Sequence, residues 1–190
     1  MTASFALTFY STRGRVDRNS QLKQGLKEIM SRPAPVNEER QLSTYPHTCA
    51  ITTRWSDNDQ YGHLNNSVYY FLFDAIVNTY LVRRCGMEPL SRTGPIGLVV
   101  GSGCRYHGPL SFPDPLQGSM KVVALGRSAV TYHLAVSTAD ATAAAATGWF
   151  THVFVDPTSR RPVPIPPHYR AGFLEIATDS VRKGEEKAKL

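Results

Sequence analysis

Apolar and polar positions change period near residue 60 of this chain. From His47 to Asp57, Ala50, Thr52 and Arg54 alternate with Ile51, Thr53 and Trp55, which predicts a strand. From Ser67 to Gly86, the residues Val68, Phe71, Leu72, Ala75, Ile76, Thr79 and Tyr80 recur at three- and four-residue spacing, which predicts a long helix. The apolar stripe is broad, so this helix is expected to be largely buried. Asn66 or Ser67 is placed to cap its start and Gly86 to end it. Four further strands are predicted over Ile96–His107, Leu116–Leu125, Ser128–Thr138 and Ala143–Asp156. Gly108-Pro109, Pro113-Asp114-Pro115 and Gly126-Arg127 break the pattern between the first three. The Ala run 143–146 prefers helix in isolation, but the alternation of Trp149, Thr151, Val153 and Val155 overrides it. Pro162, Pro164, Pro166 and Pro167 form a stiff exit, followed by a short helix to about Val181 and a charged tail.

Strand, long helix, then four strands is an α+β order. One apolar helix buries itself against a five-strand antiparallel sheet only if the sheet curls around it. Such a wrap leaves edge strands open, and pairing two copies edge to edge removes one edge in each, so a homodimer or a homotetramer is expected. The domain layout is an N-terminal extension over 1–46, a core domain over 47–175 and a charged C-terminal tail over 176–190. In the extension, Leu22, Leu26, Ile29 and Met30 fall roughly on one face before Pro33 and Pro35, so it reads as partly disordered or as one short helix. Arg13, Arg15 and Arg18 ahead of that pattern resemble a weak mitochondrial presequence.

Composition narrows the function. Net charge is +6, but residues 50–155 hold seven Lys/Arg against six Asp/Glu, so the excess sits in the flanks. A nucleic-acid face needs a dense basic stripe and is not expected. No apolar run reaches the ~18–20 residues of a membrane span. Cys49, Cys85 and Cys104 are odd in number and widely spaced, which fits buried free thiols rather than a metal motif or disulfide framework.

The candidate chemistry lies where the first strand hands over to the helix. Arg54–Asn66 carries two carboxylates, a Gly, a His and three Asn within a few residues. A helix N-terminus offers unpaired N–H groups and partial positive charge. A carboxylate beside such donors could attack, or activate water to attack, a carbonyl that the donors polarise.

This junction resembles the hotdog-fold acyl-CoA thioesterases of the 4-hydroxybenzoyl-CoA thioesterase type. The matching residues are Arg54, Trp55, Asp57, Asp59, Gly62, His63, Leu64, Asn65, Asn66 and Tyr69, with Leu64 standing where the family pattern has Val. Later landmarks agree: Tyr106 and Pro109, the turn Leu125–Ser128, the strand His152–Asp156 and the exit Pro162–Pro167. The likeness covers roughly Thr48 to Phe173. It implies the hotdog fold, a five-strand antiparallel sheet wrapped around one long central helix. It implies hydrolysis of an acyl-CoA thioester to free acid and coenzyme A, with no metal and no cofactor. Asp59 takes the place of the family's catalytic carboxylate, as nucleophile or general base. Asn66 corresponds to the backbone N–H that polarises the carbonyl, and His63 to a histidine that some relatives use. Gly62, Asn65 and Tyr69 belong to the substrate-binding set, Gly62 because it permits a tight turn and close approach.

Duller roles compete. Asp57 is expected to brace the loop, in a pair with Arg54. Asn65 and Asn66 side chains suit bracing better than reaction. Asp74, two helical turns past Asn66, could face a substrate channel or be structural. Arg105, Lys121 and Arg127 could meet coenzyme A phosphates or be solvated surface charge. An acyl carrier protein thioesterase and a non-catalytic acyl-ligand-binding hotdog dimer remain alternatives to the acyl-CoA reading. A hydratase fits less well, because its Asp-x-x-x-x-His helix entry is absent. The closing tripeptide Ala188-Lys189-Leu190 looks like a variant of the Ser-Lys-Leu address, so the peroxisome is expected, with cytoplasm or mitochondrion as alternatives.

Overall fold

The computed structural model describes residues 38–89 and 94–187. The predicted helix in the extension and the closing tripeptide lie outside the described residues. Five strands form one antiparallel sheet: β1 His47–Ile51, β2 Ile96–Tyr106, β3 Leu116–Leu125, β4 Ala129–Thr138 and β5 Ala146–Val155. Their order across the sheet is β1-β3-β4-β5-β2. The central helix α1, Val68–Cys85, lies in the curl of this sheet, which is the hotdog arrangement. Two short helices, α2 Pro167–Glu175 and α3 Asp179–Lys187, follow the proline-rich exit.

The helix sits close because the sheet offers it glycine. A Cβ on Gly118 would stand 2.6 Å from Ile76, and one on Gly148 would overlap the Phe73 ring. Phe73 and Ile76 therefore seat directly on the strands, beside Val130, Tyr132, Leu134 and Val136 of β4. Ala135, which alternates with them, belongs to a second small cluster with Leu42, Tyr45 and Ala144. Period-two alternation thus feeds two apolar layers, one against α1 and one under residues 38–46.

Packing continues on both sides of 47–175. At the start, Ala144 N–H donates to the Arg40 carbonyl and Leu42 N–H to that of Thr142. At the end, Ala177 bridges Val122 at the bulge in β3, and both Ile176 and Ala177 are buried. The segment read as a charged tail is helical as far as Lys187.

Three other expectations need correction. The first strand ends at Ile51 and not at Asp57, because Trp55–Asp57 turn into a single 3₁₀ turn closed by Arg54 and Asp57. The last strand begins at Ala146 and not Ala143, since Ala144 turns aside to pair with Arg40. The helix is not buried on all sides of this chain: Phe71 is 72% exposed, and Tyr70, Ala75 and Val82 are exposed with it. Edge strand β2 is exposed as well at Leu98, Val99 and Val100, Val100 at 62%. Exposed apolar side chains on a sheet edge that no described strand pairs are a surface for association.

Candidate active site

The junction is built by bonds between near neighbours. Arg54 donates to Asp57 three times, from its main-chain N–H (2.8 Å), Nε (3.1 Å) and Nη2 (2.8 Å). These hydrogen bonds hold the buried Asp57 carboxyl below the usual carboxylate range. Asp57 is the loop brace the sequence predicts, and its carbonyl accepts from Asn65 N–H at 2.9 Å.

Asp59 heads a tight loop. Its Oδ1 accepts from the N–H groups of Tyr61 (2.8 Å) and His63 (3.2 Å). Its own N–H donates to the His63 carbonyl at 2.7 Å, and its carbonyl accepts from Gly62 N–H at 3.1 Å. Gly62 has φ of 79°, a left-handed conformation that glycine adopts without strain. Ser111 Oγ ties the Gly62 carbonyl down at 2.7 Å, and buried Leu64 anchors the far side by donating to the Leu110 carbonyl. Oδ2 of Asp59 has no partner among the described residues. One carboxylate oxygen is thus held and the other is free to act.

Ser67, one of the two predicted caps, holds the N-cap position, but the side-chain bond there comes from Asn65. Asn65 Oδ1 accepts from both the N–H (3.0 Å) and the hydroxyl (2.9 Å) of Ser67, whereas Ser67 makes no side-chain cap bond. With Asn65 so engaged, the exposed Asn66 has no acceptor for its N–H among the described residues. Its carbonyl accepts from the Tyr106 hydroxyl at 3.0 Å, which fixes the peptide's neighbour and pins the end of β2 to the start of α1. The junction therefore leaves one carboxylate oxygen at Asp59 and one backbone donor at Asn66 without partners among the described residues.

The remaining candidates divide. His63 is exposed, and its link to Asp59 runs through the main chain and not the imidazole. Tyr69 is buried, with its ring edge-on to Tyr106 at 5.1 Å, so in this chain it is packing rather than a free binding surface. Asp74 is exposed on the open face of α1. Lys121 is buried, donating to Thr44 Oγ1 (2.8 Å) and lying 4.4 Å over the Tyr45 ring, so it is neither surface charge nor open to a phosphate. Arg105 pairs with Glu39 at 3.0 Å on the surface. Among the described residues no group of His, Cys, Asp or Glu is placed to hold a metal ion, and no helix is long and apolar enough to cross a membrane.

Sequence reasoning missed a cavity of about 760 Å³ near the other end of α1, lined by Ala75, Val82, Ile96, Phe154 and Tyr169 among others. Neither Asp59 nor Asn66 lines it. Also missed was His152 at its wall, which the sequence shows only as one polar residue within the apolar alternation of β5.

Comparison with known proteins bears on this arrangement. No curated protein matches the chain in sequence. Among solved structures, the PA5185 protein of Pseudomonas aeruginosa is 43% identical with a TM-score of 0.70, the match covering 73% of this chain and 96% of that one. A thioesterase from Thermus thermophilus, complexed with coenzyme A and Zn, shares the fold at 24% identity and TM-score 0.58, over 70% of this chain and 95% of that one. A 1,4-dihydroxy-2-naphthoyl-CoA thioesterase from Synechocystis shares it at 14% identity and TM-score 0.61, over 67% and 94%. The sequence pattern of the Thioesterase-like superfamily matches residues 53–173, a span that starts at the junction and ends inside α2. With that span carrying both the loop at Asp59 and the sheet that curls on α1, the chain belongs to the thioesterase-like superfamily.

Proposed function

We propose that this protein hydrolyses an acyl-CoA thioester to a carboxylic acid and coenzyme A, working as a homodimer. The observation that supports this reading is that, in the loop leading into α1, one oxygen of Asp59 and the N–H of Asn66 have no partner among the described residues. The Asn66 N–H takes the thioester oxygen. Asp59 either attacks the carbonyl carbon, expelling the thiolate and leaving an anhydride that water opens, or removes a proton from the attacking water. Both routes consume one water and need no other co-reactant. The main-chain contacts from Tyr61 and His63 orient the carboxylate, and Asn65 frees the Asn66 N–H by capping Ser67 instead.

A second copy supplies what one chain lacks. β2 runs from the cavity, at Ile96 and Gly97, to the junction, at Tyr106. Two-fold antiparallel pairing of β2 with its copy sets the Ile96 end of one beside the Tyr106 end of the other. One protomer's cavity then adjoins the other's Asp59 and Asn66, and the exposed Phe71, Val99 and Val100 are covered. The cavity holds the acyl group, and the junction holds the thioester.

The test is thiol release from purified full-length protein over acyl-CoAs of graded length, with the matching acyl carrier protein thioesters run alongside. Turnover of coenzyme A esters is expected. Turnover confined to carrier-protein esters would move the donor, and tight acyl-CoA binding without any hydrolysis would favour a non-catalytic acyl-binding dimer.

A further inference from the structure

The wall of the cavity holds a polar group that packing leaves unpaired. His152, in β5, is 4% exposed, and neither ring nitrogen has a hydrogen-bond partner among the described residues. It lines the cavity together with apolar neighbours such as Val82, Ile96, Phe154 and Tyr169. Its orientation is fixed by aromatic edges: the Tyr132 ring stands at 86° with centroids 5.3 Å apart, and the Phe150 ring lies 6.5 Å away. No bond joins it to the Tyr132 hydroxyl. On the facing strand β2, position 97 is a glycine, and a Cβ there would stand 3.2 Å from His152 Nδ1. That nitrogen is therefore packed close to the Gly97 backbone, buried and without a partner among the described residues, and any side chain at 97 would crowd it.

Burial lowers the His152 pKa, against a smaller opposing effect of Asp74, so the ring is neutral near pH 7. A neutral imidazole carries one donor and one acceptor. Buried polar groups are normally paired, and an exception calls for an explanation. A plain alkyl chain in this cavity gives the ring nothing, whereas an acyl chain carrying an oxygen satisfies it. A site built to bond a substrate oxygen discriminates strongly against the analogue that lacks it.

We propose that His152 is a specificity-determining residue that hydrogen-bonds an oxygen on the acyl chain, so that the preferred substrates are hydroxyacyl or oxoacyl thioesters rather than plain alkyl ones. This deepens the thioesterase reading and rests on it.

The experiment compares octanoyl-CoA with a series of hydroxyoctanoyl-CoAs whose hydroxyl is stepped along the chain, in wild type, His152→Phe and Gly97→Ala. In wild type, kcat/KM for one hydroxy isomer is expected to exceed that for octanoyl-CoA by at least roughly tenfold. His152→Phe abolishes that preference, so that the hydroxyoctanoyl and octanoyl esters have about equal kcat/KM whatever the absolute rates. Gly97→Ala, which places a methyl against Nδ1, narrows the preference without removing the imidazole, and keeps the test alive if the Phe variant misfolds. Equal ratios of the two substrate types in all three proteins overturn the proposal. A second readout needs no turnover: the imidazole ¹⁵N resonances of His152 are followed during titration with free hydroxyoctanoic acid or octanoic acid. A shift with the hydroxy acid alone is expected. That shift without hydrolysis of any acyl-CoA would sink the hydrolase reading and support recognition by His152. Hydrolysis with no difference between the two acids would do the reverse.

Discussion

The two ends of α1 solve opposite problems. At the N-terminal end, polar groups are abundant and three of them are held by residues two to four positions away: Asp57 by Arg54, Asp59 by Tyr61 and His63, Asn65 by Ser67. Near the C-terminal end, the cavity is lined by apolar side chains together with polar ones such as Asn78, Arg83 and Glu88, is assembled from α1, β2, β5 and α2, and its buried histidine is unpaired among the described residues. On the proposed reading, Asp59 is a reacting group that local bonds preorganise before substrate arrives. On the same reading, His152 selects substrate, and it lacks a partner because elements distant in sequence bury it.

The comparison can be broken at several points. The largest expected effect is at the organised end: Asp59→Asn should lower kcat/KM roughly thousandfold with little change in melting temperature. The amide oxygen still accepts from Tyr61 and His63, so the loop persists while the charge is lost. Full activity measured by thiol release, with the fold checked by circular dichroism, would remove Asp59 from the chemistry.

Next, Val100→Arg on the open edge of β2 separates the two ends by preventing them from meeting. The expected outcome is a monomer by light scattering, folded by circular dichroism, with kcat/KM down roughly hundredfold because cavity and junction no longer adjoin. A fully active monomer would show that one chain suffices.

Asp57→Asn tests whether the junction's order is structural. Losing the charged hydrogen bonds with Arg54 should cost about 1–3 kcal/mol of stability by urea denaturation. The pH dependence has a defined sign. The folded-state pKa of Asp57 is depressed by Arg54. Its contribution is therefore full above the unfolded aspartate value of ~3.9 and is lost as pH falls through the folded value. The gap between wild type and variant should stay constant from about pH 5 to 8 and shrink below about pH 4. A gap that grows on acidification would contradict the pairing.

The smallest effect is expected at His63. Its main chain holds Asp59 and its ring does not, so His63→Ala should lower kcat/KM by less than about tenfold; a loss of roughly hundredfold or more would give the imidazole a proton-transfer role.

Much of this molecule was legible in the chain. The three-and-four spacing from Val68 to Tyr80, the alternation from Trp149 to Val155 and the glycine at 86 are properties of neighbouring residues, and the elements formed where those patterns run. The junction at Arg54–Asn66 was legible for the same reason as far as the bonds that hold Asp57, Asp59 and Asn65 go, since these span only a few positions. Boundaries were less so: the strand reading continued to Asp57 because Trp55 keeps the alternation, while the Arg54–Asp57 bonds turn the backbone into a 3₁₀ turn. The hydroxyl of Tyr106, 40 positions from Asn66, gave no local sign that it pins the helix start.

The sequence by itself determined the element order, the apolar stripe of α1 and the polar loop before it, because periodicity and short-range hydrogen bonds depend on neighbours in the chain. Only the tertiary structure decided which part of that stripe stays open, since the sheet ends at β2 and leaves Phe71 and Val82 uncovered. It also decided that Lys121 is covered by residues 44 and 45, and that His152 faces a cavity with Gly97 across from it. Burial and pairing at those positions are set by atoms far away in sequence, which no local pattern encodes.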